Sequence, residues 1–254
     1  MDHYYGKRLV GGGHHAIEGP YIEADFDNGY YYLFVSYGNL QANGGYQIRQ
    51  YRSDKIDGDY VDITGSTPWN QDDFSDYGIK MMGNYKFPSM DRGYMAPGGQ
   101  STFKDNDGKY YIVYHQRFDG GGENHEPRIH QMFLNEDNWF VAAPFQTSGE
   151  SLSEEGHTNA DICGTYYMLG HGVGINSNLI EAEASTFSTD GTFSGDKNGT
   201  FEVKEGTNYI TITMDGVEYK GVIVDMTDEA GNNTRCFMAV GTNNKTIWGV
   251  HYMK

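Results

Sequence analysis

The sequence is poor in cysteine and in basic residues, and it has no long apolar run. Cys163 and Cys236 are the only thiols in 254 residues. Two cysteines exclude a disulfide framework and a cysteine-built metal cluster. One bridge between them and two unrelated thiols are both compatible with that count. Lysine and arginine total 18 against 35 acidic residues, a net charge of −17. Such a surface repels nucleic acid and anionic membranes. It also disfavours a polyanionic substrate such as polygalacturonate, so a neutral ligand is the easier partner. No stretch approaches the ~18 apolar residues that suggest a membrane span. No signal peptide is legible at the N-terminus.

Glycine and aromatic side chains are abundant. The 35 glycines punctuate short segments, and 21 Tyr, 13 Phe and 3 Trp supply burial in large pieces although only 37% of residues are hydrophobic. Few helical patterns are visible, and the chain reads as all-β with tight turns. Core packing accounts for most aromatics; some could stack on sugar faces.

Residues 1–13 are polar and glycine-rich. Strands are expected at Tyr21–Ala24, Tyr30–Tyr37 and Tyr46–Ser53, with a short edge strand near Tyr60–Ile63. A second set follows at Ile79–Met82, Gly99–Lys104, Lys109–Arg117, Arg128–Leu134 and Trp139–Ala143. Asn28-Gly29-Tyr30-Tyr31-Tyr32-Leu33 matches Asp107-Gly108-Lys109-Tyr110-Tyr111-Ile112 at an offset of 79. Repeated four-stranded units are the mark of propeller blades; a two-sheet sandwich is the plainer alternative. Residues 146–160 turn polar and read as a linker. After it come alternating segments at Thr165–Leu169, Leu179–Phe187, Gly191–Val203, Tyr209–Met214, Val217–Val224, Thr234–Val240 and Thr246–Tyr252. They suggest a small β-barrel or sandwich with no catalytic constellation. The expected division is 1–148 and 149–254.

The stretch His14-His15-Ala16-Ile17-Glu18-Gly19-Pro20-Tyr21-Ile22 places a carboxylate at a stiff strand entrance. Pro20 fixes its own φ and biases Gly19 toward extended backbone. The plain reading of Glu18 is a surface carboxylate beside a turn; the chemical one is an acid presented by a rigid element.

The first 150 residues resemble the endo-α-1,5-L-arabinanases of glycoside hydrolase family 43. The resemblance rests on IEGPYI (17–22), YYYLFVSYGNLQANGGYQIRQYRS (30–53) and IKMMGN (79–84). It continues in YMAPGGQS (94–101), GKYYIVYHQRF (108–118) and HEPRIHQMF (125–133). The segment after residue 150 looks like the C-terminal β-barrel of the two-domain arabinanases. The resemblance implies part of a five-bladed β-propeller, its fourth and fifth blades, followed by the barrel. It implies inverting hydrolysis of α-1,5-linked arabinan with Glu18 as general acid. The family's general base and pKa-tuning aspartate precede the IEGPYI stretch, and Asp2 stands in no matching context. Both are therefore expected from N-terminal blades, carried by a second polypeptide or met in an oligomer. Asp25, Asp27 and Asp119 are other carboxylates; turn chemistry explains the first two.

Three further positions follow from the resemblance. Gly98-Gly99-Gln100-Ser101 stands where the family often has Gly-His-Asn-Ser, whose histidine ligates an axial ion. Gln100 could offer a carbonyl oxygen to a calcium or sodium ion or to water; its plain reading is an ordinary polar residue. Arg117 falls near the floor of the family's site, where it could hold a sugar hydroxyl; its plain reading is an ion pair. Tyr37 is a candidate to line a subsite, or else a core tyrosine. The family places the protein outside the cell or in the periplasm. The competing functions are a non-catalytic carbohydrate-binding or structural remnant, and an arabinofuranosidase or xylosidase of the same family.

Overall fold

Two glycine turns, Asn28-Gly29 and Asp107-Gly108, form the hairpins that begin the two halves of the N-terminal region. The computed structural model describes residues 6–11, 16–69 and 75–253; Asp2, His14 and His15 lie outside these. Strands β1 (Ile17–Asp25) and β2 (Tyr30–Tyr37) are joined by a turn. In it Asp25 Oδ1 accepts from the Asp27 and Asn28 amides at 3.2 and 3.4 Å, and Gly29 takes φ +74°. β3 (Gln47–Ser53) and β4 (Ile79–Met82) complete an antiparallel sheet in sequence order. The second sheet holds β5 (Tyr85–Lys86), β6 (Tyr94–Lys104), β7 (Tyr110–Phe118), β8 (His125–Leu134) and β9 (Phe140–Ala142), also in order. Its β6–β7 turn repeats the first: Asp105 Oδ1 accepts from the Asp107 and Lys109 amides at 3.2 and 3.1 Å. The internal repeat in the sequence is thus a repeated hairpin with the same side-chain-to-backbone lock.

The sheets face each other through alternate residues of β2. Tyr32 and Phe34 reach the ring of Phe140 at 4.5 and 6.0 Å. Gln50 of β3 acts as a surrogate peptide group there. Its amide donates to Phe140 O at 2.6 Å, and its carbonyl accepts from Phe140 N at 3.3 Å. The other face of β2 carries Leu33, Val35 and Tyr37. These form a cluster with Tyr51 and Tyr60 and are overlaid by Leu9, Val10, Tyr77 and Ile175. The chain's own loops thus cover this face of β2.

The C-terminal region closes into an eight-stranded barrel of β10 (Gly164–His171), β12 (Glu183–Phe187), β13 (Thr192–Gly195), β14 (Gly199–Val203), β15 (Tyr209–Met214), β16 (Val217–Thr227), β17 (Asn233–Gly241) and β18 (Thr246–Tyr252). Its interior is filled by side chains such as Phe187, Phe193, Phe201, Ile212 and Phe237, as expected of a small barrel. Its outer face does not stand apart. Val222, Val224, Met238 and Trp248 join one continuous core with Tyr85 of the second sheet and with Phe87 and Phe145 just beyond its strands. The short β11 (Ile180–Glu181) leaves the barrel and pairs in parallel with β5. Cys163 and Cys236 are unbridged. Among the described residues no helix is long and apolar enough to cross a membrane.

Candidate active site

Two facing bulges build the site. β1 and β6 lie side by side. The β1–β2 register slips between Glu18 and Tyr21, where Gly19 adopts φ +60°. The β6–β7 register slips on both sides of Gly98. Bulges re-aim side chains out of the regular alternation. Glu18, Gly19 and Pro20 are consequently exposed at the end of β1.

Gln100 ties the two bulges together. Its amide donates to Gly19 O at 2.7 Å, and its carbonyl accepts from Ser36 Oγ at 2.8 Å. Ser36 Oγ in turn accepts from the Gly99 amide at 2.9 Å. Ser36 and Gln100 are both buried, so this network fixes the backbone that carries Glu18.

The Glu18 carboxylate has one fixed oxygen. Tyr46 donates its hydroxyl to Glu18 Oε1 at 2.7 Å. Burial pushes the Tyr46 hydroxyl up to about 12, so it stays a donor at neutral pH. The Tyr46 ring stacks on His115 at 5.5 Å and 10°. The two glycines make room for this pair. A Cβ on Gly98 would lie 2.0 Å from Tyr46 Cε1, and one on Gly99 would lie 2.8 Å from His115 Cδ2. Burial lowers the His115 imidazole to about 4; Arg117 and His125 push the same way and Glu18 opposes them. His115 is therefore a neutral ring at the floor of the site. Neither Tyr46 nor His115 is singled out by sequence reasoning, though the Gly98-Gly99 pair marks a place where something large comes close.

The other expected residues divide. Gln100 is at the site, but its carbonyl is occupied by Ser36 and its amide by Gly19. Among the described residues no group of three or more His, Cys, Asp or Glu is arranged to hold a metal. Arg117 is buried on the same face of β7 as His115; its Nε donates to Glu123 Oε2 at 3.0 Å, while Nη1 is buried without a partner. Glu123 also accepts from the Ala42 amide at 3.0 Å, so Arg117 pins the 119–124 loop to the 39–45 loop at the rim. Tyr37 is not at the site. It is fully buried, bonded to Tyr51 and covered by the Arg49 guanidinium at 4.4 Å. Alternation along β2 turns Ser36 toward Glu18 and Tyr37 away.

Comparison with known proteins bears on this arrangement. A family model described as glycosyl hydrolases family 43 matches residues 5–140, and one described as a C-terminal lipocalin-like domain matches 144–249. The chain is 39% identical over 260 residues to the extracellular endo-alpha-(1->5)-L-arabinanase 2 of Bacillus subtilis, covering 96% of this chain and 55% of that protein. It is similar to the structure of an endo-1,5-alpha-L-arabinanase from Thermotoga petrophila in complex with TRIS. There the TM-score is 0.92 and the identity 39%, over 98% of this chain and 58% of that one. A family 43 glycoside hydrolase from Bacillus licheniformis gives a TM-score of 0.92 at 35% identity, over 98% of this chain and 58% of that one. The chain thus spans a little over half the length of the relatives it matches.

Proposed function

The chain belongs to glycosyl hydrolase family 43, and we propose that it carries the general acid of an α-1,5-arabinan-cleaving hydrolase. The observation that carries the reading is the Glu18 carboxyl, exposed at a bulged strand end and held through one oxygen by Tyr46. Inverting hydrolysis needs an acid that protonates the leaving oxygen. It also needs a carboxylate about 6.5–9.5 Å away that activates water on the opposite face. Glu18 fills the first role. We place the base, and the aspartate that tunes the acid, outside the described residues, in N-terminal blades that complete a five-bladed propeller. Residues 1–148 then belong to the propeller and 149–254 to the accessory barrel. Arg117 lies beside the same face and orients substrate or rim loop. The matched relatives named extracellular support action outside the cell on a neutral polysaccharide, consistent with a charge of −17.

The test is arabinan hydrolysis by this chain, alone and mixed with the N-terminal portion of a family arabinanase. The mixture should hydrolyse, the chain alone should not. Glu18→Gln should then lose on the order of 10²–10⁴-fold on arabinan, the range for general acid catalysis, and far less on aryl arabinosides whose leaving groups need little protonation. An equal loss on both substrates would show that Glu18 is structural. Robust activity of the chain alone would overturn the placement of the base.

A further inference from the structure

The surface beside Glu18 does not end at the catalytic floor. His115 is followed by His125, with ring centroids 5.2 Å apart. His125 lines a cavity of about 580 Å³ together with Arg92, Phe118 and Glu126. Those last three residues also line a second cavity of about 310 Å³, whose far wall is Arg128 and Glu229. Glu229 sits on the hairpin between β16 and β17, so the far wall is the barrel. It is anchored there, accepting from the Tyr94 hydroxyl and from the Gln146 amide. The two cavities thus share Arg92, Phe118 and Glu126 and extend from His125, whose ring touches that of His115, to Glu229 on the barrel.

The lining suits a neutral polyhydroxylated chain. The half-buried Phe118 ring has the Arg92 guanidinium 5.0 Å from its centroid and that of Arg128 5.1 Å. Arg128 is held at 2.9 Å by Glu126 and at 2.9 Å by the Tyr94 hydroxyl, and Arg92 by Asp119 O at 3.1 Å. Planar donors fixed against a ring beside carboxylate acceptors suit sugar hydroxyls. Glu126 and Glu229 offset the two guanidinia, so no excess positive charge invites an anion. We propose that this pair of cavities is a distal subsite for the unreacted run of an arabinan chain, crossing Phe118 and ending on the barrel at Glu229. The assignment rests on the reading of Glu18 as the acid of an arabinan hydrolase.

Calorimetric titration of the chain with linear arabinohexaose and with arabinobiose tests it. The hexaose should bind at least tenfold more tightly. Arg92→Ala, an exposed position that should leave folding intact, should weaken the hexaose about fivefold, the weight of one exposed contact, without changing the biose. Phe118→Ala, checked for native circular dichroism, should do the same or more. Equal affinity of the two sugars for the unaltered chain overturns the subsite. So does a hexaose affinity that Arg92→Ala leaves unchanged, or an equal loss for both sugars; each of these leaves the Glu18 assignment standing. Binding of neither sugar overturns the arabinan reading itself and the subsite with it.

Discussion

Replacing Gln100 by alanine should loosen the strand end that carries Glu18, and the cost can be worked from its two bonds. Ser36 is fully buried and loses the acceptor for its hydroxyl proton. A buried polar group left unmatched costs about 1–3 kcal/mol. Gly19 lies on an exposed stretch, so its carbonyl can turn to water, and that bond contributes about 1 kcal/mol. Together they amount to about 2–4 kcal/mol. In a chain of this size 1 kcal/mol moves Tm by about 2–4 °C, so Tm should fall by ~5–15 °C in a calorimetric scan. The double variant with Ser36→Ala removes the stranded hydroxyl as well. It should cost less than the sum of the single changes by about 1 kcal/mol or more, the mark of directly coupled groups. A Tm for Gln100→Ala within 1 °C of the parent, or strict additivity in the double variant, would refute the reasoning.

Two other perturbations probe the seam between sheets and barrel. Burial, with Arg49 adding, brings the Lys80 ammonium down from 10.5 to about 7. Between those values the unfolded chain holds a proton that the folded chain lacks, so stability rises with pH from about 7. Urea midpoints at pH 7, 8 and 9 should rise in the parent, by up to about 1.4 kcal/mol per pH unit, and flatten in Lys80→Met; an unchanged slope would count against the buried ammonium. Trp248, nearly inaccessible and 4.9 Å from Tyr85, should cost about 3–5 kcal/mol when cut to alanine. Because the core is shared, parent and Trp248→Ala should each melt in one transition, and two resolved transitions would show that the barrel folds apart from the sheets.

Local signals made much of the fold legible. β2, β4, β15 and β18 fall where β-forming runs bounded by turn residues place them. Gly191–Val203 reads as one strand but is two. What breaks it is non-local: the Asp196 amide bonds Ala184 O and the Lys197 amide bonds Ser185 Oγ. The edge strand expected at Tyr60–Ile63 shrinks to a bridge from Val61 to Arg52, because Asp62 turns its carboxylate to the Thr64, Ser66 and Gly78 amides. At the candidate site, the exposed position of Glu18 at a strand entrance is legible from Gly-Pro, but the left-handed φ of Gly19 is not, since a following proline biases a residue toward extended backbone. Tyr46 and His115 are not, since the bulges in β1 and β6 and the packing of one sheet against the other bring them there. Tyr37 falls one residue away from the site: a strand has period two, and Ser36 holds the parity that faces Glu18.

The pairing of β11 with β5 has a meaning for solubility. An open sheet edge offers unpaired N–H and C=O groups to any passing strand. Here two residues from the connection between barrel strands β10 and β12, Ile180 and Glu181, occupy the β5 edge in register with Tyr85 and Lys86, and Trp248 stands over Tyr85. The accessory region thus works as a built-in chaperone for the second sheet, shielding both a sticky edge and an apolar face. A chain cut after residue 148 would lose both shields at once and should precipitate as it is made.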